Sequence, residues 1–160
     1  MYVRTAAFAS VLVVGLGAHA LIAKPATTGA LNVPANRIVG LWQTQGAVGP
    51  CDTGVITVNV RNSLLFHAGG TVTENIAPTT ARNMGLGTWS YDPATKLYRM
   101  RIRFDRFVNG VPSGHSTVDR ELQMSADGML ISGSVKVTGY SIDGAVVTEL
   151  CGEAGSERLQ

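Results

Sequence analysis

The sequence predicts an all-β protein, a single antiparallel up-and-down barrel of eight strands. Three observations carry that expectation. Apolar and polar residues alternate with period two over most of the chain after residue 37, the signature of strands with one buried face. The dipeptides Gly69-Gly70, Asp127-Gly128 and Asp143-Gly144 punctuate these stretches as turns, and no stretch among them has helical periodicity of useful length. Short strands in simple sequence order, each with one apolar face, close their own edges most directly as a barrel. A two-sheet sandwich is the competing arrangement.

The chain divides into three parts. Residues 1–20 read as a secretory signal peptide: Arg4, an uncharged run from Thr5 to Ala23, and Ala18-His19-Ala20 as a small-X-small cleavage site. The apolar centre, Ala6 to Leu16, is shorter than the roughly 20 residues a membrane span needs. The alternative is an uncleaved N-terminal anchor, because the apolar stretch can be extended to Ile22. Residues 21–36, Pro, Thr, Gly and Ala without periodicity, read as a flexible leader, and 37–160 as the barrel, a length that suits one domain. The expected destination is secreted or periplasmic in a bacterium, free of the membrane once the signal is removed. With 13 Lys and Arg against 11 Asp and Glu, the chain has no electrostatic footprint for nucleic acid or an anionic membrane.

The two cysteines, Cys51 and Cys151, both lie in the exported part. An even count in an oxidising compartment reads as one disulfide. It would close a loop that chain entropy values at ~4.7 kcal/mol for about 100 residues. Neither a CxxC nor a paired-His spacing accompanies the cysteines, so no metal site is expected.

The strands follow in order. The first, near 38–45, holds Gly40-Leu41-Trp42. The second, near 54–68, places Ile56, Val58, Val60, Asn62, Leu64 and Phe66 on one face. The third, 71–76, follows Gly69-Gly70: a three-residue turn would point Val72 and Glu74 inward, a two-residue turn Thr71, Thr73 and Asn75, and the residues leave both open. The fourth, 86–91, carries a second Gly-X-Trp at Gly87 and Trp89, which reads as two hairpins meeting one geometric demand. The fifth, 97–107, alternates Tyr98, Met100, Ile102 and Phe104 with Arg99, Arg101, Arg103 and Asp105. The sixth, 115–124, alternates Val118, Arg120, Leu122 and Met124 with Asp119, Glu121 and Gln123, so pairing of the two would set outer arginines against outer acids. The seventh, 129–140, and eighth, 145–151, meet at Asp143-Gly144 as a two-residue hairpin, which would align Ile131, Gly133, Val135 and Val137 with Val146, Thr148 and Leu150. A four-residue turn at Ser125 to Gly128 would set Arg120 opposite Gly133.

Gly40 and Trp42 on the first strand of a small exported eight-strand barrel resemble the lipocalins and the wider calycin group. The resemblance implies that Trp42 closes the barrel base and that a late arginine, here Arg158, packs against it. It covers the strand order from Ile38 to Arg158. The Thr-Asp-Tyr signature of the family is absent, and the residues after Cys151 are too few for its long C-terminal helix. The allene oxide cyclase-like barrels have similar strand content, and no motif here favours them.

An eight-strand barrel has room for packed side chains or one small ligand. Arg120, a cation on an otherwise apolar face, reads as the anchor for a carboxylate, with an internal hydrogen-bond hub as the bland alternative. Glu74 is its partner in one hairpin register. Trp89, Tyr91, Tyr98 and Met100 complete the expected ligand-binding set, although aromatic residues on an apolar face more often form core. His67 is expected outward and His115 in a turn. No nucleophile elbow, zinc-protease motif or phosphate loop is present, so no catalytic residue and no cofactor is expected. The expectation is an interior site for a small apolar or amphipathic molecule, with a cyclase or isomerase in the same cavity, or an interaction module with a solid core, as alternatives.

Overall fold

The computed structural model describes residues 34–76 and 81–160; the expected signal and most of the leader lie outside them. Eight strands follow one another: β1 (Gly40–Pro50), β2 (Val58–Phe66), β3 (Thr71–Asn75), β4 (Gly85–Asp92), β5 (Leu97–Val108), β6 (Val111–Met124), β7 (Leu130–Tyr140) and β8 (Val146–Arg158). Each pairs with its sequence neighbour, and β8 returns to β1, so the sheet is a closed antiparallel barrel. Closure removes every edge strand, which decides against the sandwich.

Alternation places the core as the sequence suggests. Leu64, Phe66, Val72, Met100, Ile102, Leu122 and Ile131 are each at most 3% exposed. Their intervening neighbours on β5 and β6 form the outer ladder, with Arg99 on Glu121 at 3.0 Å and Arg101 on Asp119 at 2.6 Å.

Several element bounds and registers differ from expectation, each for a local reason. β8 runs on to Arg158 because its inner positions Gly152, Ala154 and Ser156 still alternate, although such small residues give almost no hydrophobic contrast. β2 begins only at Val58; Val55 and Ile56 are 62% and 51% exposed in the loop after Cys51. β5 and β6 extend to a tight turn at Asn109-Gly110, both at positive φ, so His115 lies within β6, stacked on Tyr140, and not in a turn.

The turn after β6 starts one residue later than expected, with Ser125 N donating to Leu130 O. Arg120 consequently faces Val135, not Gly133. The Asp143-Gly144 turn spans three residues, Ser141 N reaching Ala145 O, and a register shift between Gly139 and Tyr140 restores the pairing of Val137 with Leu150. At Gly69-Gly70 the structure takes the three-residue form: His67 N donates to Thr71 O, and Glu74 pairs with Leu64 on the inner face.

The barrel has two unlike ends. At the base, a short 3-10 helix, Pro34–Ile38, precedes β1, and Trp42 lies fully buried with its Nε1 donating to Ile38 O at 2.8 Å. The Arg158 guanidinium sits 4.3 Å from the Trp42 ring centroid. It donates to the carbonyls of Val39 at 2.9 Å, Gly128 at 3.0 Å and Arg37. Gly40 is required there: its φ is +135°, and a Cβ would stand 2.8 Å from Arg158 Nη1. Gly87 has a different reason, since a Cβ there would run into the Arg101 carbonyl of β5. The two Gly-X-Trp steps thus answer two demands and not one.

At the other end, the mouth, Cys51 and Cys151 form a disulfide with Cα atoms 4.8 Å apart and 100 residues of sequence between them. The bond joins the loop leaving β1 to β8, consistent with an oxidising, exported environment.

Candidate functional site

Small side chains along one seam open the interior. Where β1 meets β8, Thr44 faces Ser156, Gly46 faces Ala154 and Val48 faces Gly152. The two hydroxyls satisfy each other at 2.7 Å, so this wall makes no polar demand of its own. The space left is a cavity of about 160 Å³ reaching Val60 and Asn62 of β2, Glu74 of β3, Met100 and Phe104 of β5, and Val118 and Arg120 of β6. Its surface is mainly aliphatic. Its volume is close to that of a dry cavity known to admit benzene, about 150 Å³, and below the range of drug-sized sites, about 300–1,000 Å³.

Besides Thr44, three polar residues bordering it are almost fully enclosed: Glu74 at 4%, Arg120 at 5% and Asn62 at 9% exposure. Both oxygens of Glu74 are engaged, Oε1 by Asn62 Nδ2 and Oε2 by the Arg82 guanidinium. Arg82 comes from the segment ahead of β4, which Phe107 N holds by donating to Ala81 O at 2.8 Å. Its guanidinium also lies 3.4 Å from the Phe104 ring centroid, a desolvated cation–π contact.

Arg120 is provided for less well. Nη2 donates to Ala154 O at 3.0 Å, whereas Nε is buried without a partner. Burial pushes its pKa down to about 10, against the opposing pull of Glu74 and Glu153. A buried cation held this way costs several kcal/mol unless an anion joins it.

A third arginine adds to the imbalance. Arg106 continues the inner register of β5 past Phe104, pairs across a bridge with Arg82, and donates to Tyr140 O at 2.5 Å. Its Nε, too, is buried without a partner. Like charges directly opposite one another are destabilising, and Glu74 is the carboxylate among them.

Of the residues expected to bind ligand, the fold gathers Arg120, Glu74 and Met100 around this cavity. It takes Trp89, Tyr91 and Tyr98 into an aromatic stack toward the base. Tyr98 lies 4.8 Å from Tyr91 and 6.2 Å from Trp89, and Trp89 meets Phe66 edge-on at 6.3 Å. The polar tips there are bound to backbone, Trp89 Nε1 to His67 O at 3.0 Å and Tyr98 OH to Pro34 O. Asn62, Arg82 and Arg106 were not singled out from sequence. Asn62 interrupts an apolar inner register, and Arg106 extends one, so both left a readable sign; Arg82 sits in a loop without periodicity and left none.

On the outside, a broad groove crosses β4 to β8, but its charges are largely matched, Lys136 on Glu149 at 2.6 Å beside the two arginine pairs. Among the described residues no three His, Cys, Asp or Glu side chains come together as a metal ion would require.

Fold and site together define a class: a closed eight-stranded antiparallel barrel, lipocalin-compatible in architecture, with a small interior cavity bordered by buried charges. No protein-family model matches the chain, and no curated protein matches it.

Proposed function

We propose that this protein is an exported, lipocalin-like carrier of the calycin type that holds one small amphipathic molecule inside its barrel, an acidic end on Arg120 and an apolar body against the aliphatic walls. The observation that carries this reading is the partnerless Nε of Arg120 beside a preformed cavity. A carboxylate there would offset both the lost solvation and the missing hydrogen bond. The volume limits the body to a single ring or a short branched chain.

Binding is favoured over turnover because Glu74, the enclosed carboxylate at the cavity, has both oxygens occupied and is not free to act as a base. The cavity itself speaks for carriage over a solid core. The signal peptide of residues 1–20 and the disulfide support a secreted or periplasmic location.

Native mass spectrometry of protein purified from its own host is expected to reveal a co-purified acid of this size. Calorimetry with isovalerate and phenylacetate should show binding that Arg120→Met abolishes. Affinity unchanged in that variant removes the anchor, and failure of all such acids to bind removes the carrier reading.

A further inference from the structure

Two enclosed atoms at this cavity have opposite needs. Arg120 Nε is a donor without an acceptor, and Asn62 Oδ1 is an acceptor without a donor. The orientation of the Asn62 amide follows from its neighbour: the Glu74 carboxylate that receives Arg82 accepts hydrogen bonds, so the amide nitrogen must face it. Turning the amide over would set two acceptors, Oδ1 and the Glu74 carboxylate, against each other and lose the bond. Both residues border the same cavity, and the two unmatched atoms lie just under its surface with almost no accessible area, so a single molecule engages both by a small movement of the two side chains.

An acid alone would answer Arg120 and leave Asn62 as it is. The second group must donate a hydrogen bond, which admits a hydroxyl or an ammonium. Charge separates the two. Among the described residues lining the cavity, Arg82 and Arg120 already stand against a single carboxylate, Glu74, with Arg106 beyond them. An added ammonium would raise the positive excess in a poorly solvated space. A hydroxyl adds the donor without the charge.

We infer that the interior site takes a small hydroxy acid, its carboxylate on Arg120, its hydroxyl donating to Asn62 Oδ1, and its apolar body among Val60, Val118, Val135 and Ala154. This deepens the carrier reading and rests on it. The apolar body is short: hydroxyisovalerate or mandelate represents the size the cavity volume allows.

The test uses the complete, disulfide-bonded protein and matched pairs of acids: α- and β-hydroxyisovalerate against isovalerate, and mandelate against phenylacetate. Within at least one pair the hydroxy acid is expected to bind about tenfold tighter or more, since the hydroxyl satisfies an otherwise orphaned acceptor. In Asn62→Leu that advantage should vanish while the plain acid still binds. Because this variant also takes a donor from Glu74 and can fail to fold, the wild-type side-chain amide of Asn62 gives a second readout. Its NMR resonances should move with the hydroxy acid and stay with the plain one.

Equal affinity in all three comparisons, a hydroxyl advantage that survives Asn62→Leu, or unmoved amide resonances would overturn the hydroxy-acid assignment while leaving an acid carrier in place. If no acid of either kind binds, the carrier reading falls first and this inference with it.

Discussion

The base and the middle of this barrel each contain an inward arginine, and the two are treated in opposite ways. Arg158 spreads its guanidinium over Trp42 and donates to three backbone carbonyls. Arg120 reaches one carbonyl, keeps an unmatched Nε, and borders a cavity. A fully matched arginine holds structure together; an undermatched one is a binding group waiting for its counterpart. The same contrast extends to covalent support, because the base is closed by packing and the mouth by the disulfide.

The largest effect should come from the base. Trp42→Ala removes a fully buried side chain and the ring beneath Arg158, and is expected to lower unfolding free energy by about 3–5 kcal/mol in a denaturant titration. Replacing Cys51 and Cys151 together by Ser should lower it by about 2–5 kcal/mol. Hydrogen exchange sharpens the comparison: protection should fall mainly around Gly49 to Val58 and Val146 to Cys151, with the Trp42 to Thr44 segment less affected. Equal loosening at both ends would mean that the disulfide and the base are not separate supports.

The two arginines can then be set directly against each other. Arg158→Met leaves three carbonyls without their donor and should cost about 2 kcal/mol. Arg120→Met should leave stability unchanged or raise it, because an apolar side chain replaces a poorly solvated charge. The reverse ranking would break the distinction between structural and binding arginine.

A smaller effect lies in alkaline pH. The folded pKa of Arg120, about 10, is below its unfolded value. Its charge therefore weighs against folding at neutral pH, and that penalty fades as pH rises through 10, where the native state sheds the proton and the unfolded chain keeps it. Tyr98 acts in the other direction. Burial raises its pKa, chiefly by desolvation, so its contribution is present below the ordinary tyrosine range and is lost as pH climbs through the folded value. The stability difference between wild type and Arg120→Met isolates the arginine. It should shift toward wild type between pH 9 and 11, by on the order of 1 kcal/mol. A difference independent of pH would show that Arg120 is better solvated than its burial implies. The least change is expected on the outer ladder, where converting both Arg101 and Asp119 to Thr should leave the denaturation midpoint where it was.

Much of the site was legible in advance, and its gaps have physical causes. Arg120 could be assigned to the interior because Val118, Leu122 and Met124 mark the apolar side of its strand, and a misplaced turn altered only its partner, from Gly133 to Val135. Glu74 hung on one residue of turn length, which two adjacent glycines do not specify. The aromatic trio shares the expected face, but the same face serves both base and cavity. Height along the barrel, not facing, separates Tyr98 from Met100.

What the sequence determined by itself is the two-residue rhythm, the strand order it implies, the pairing of two cysteines, and the sign of the residues turned inward, because alternation and charge are local properties of the chain. Tertiary structure alone decided where the space lies. The cavity exists because Gly46 and Ala154 meet across the closing seam between the first and last strands, and Arg82 arrives from a loop to occupy Glu74. Empty volume and unmatched hydrogen-bonding groups are properties of neighbours brought together by barrel closure, and no single segment contains them.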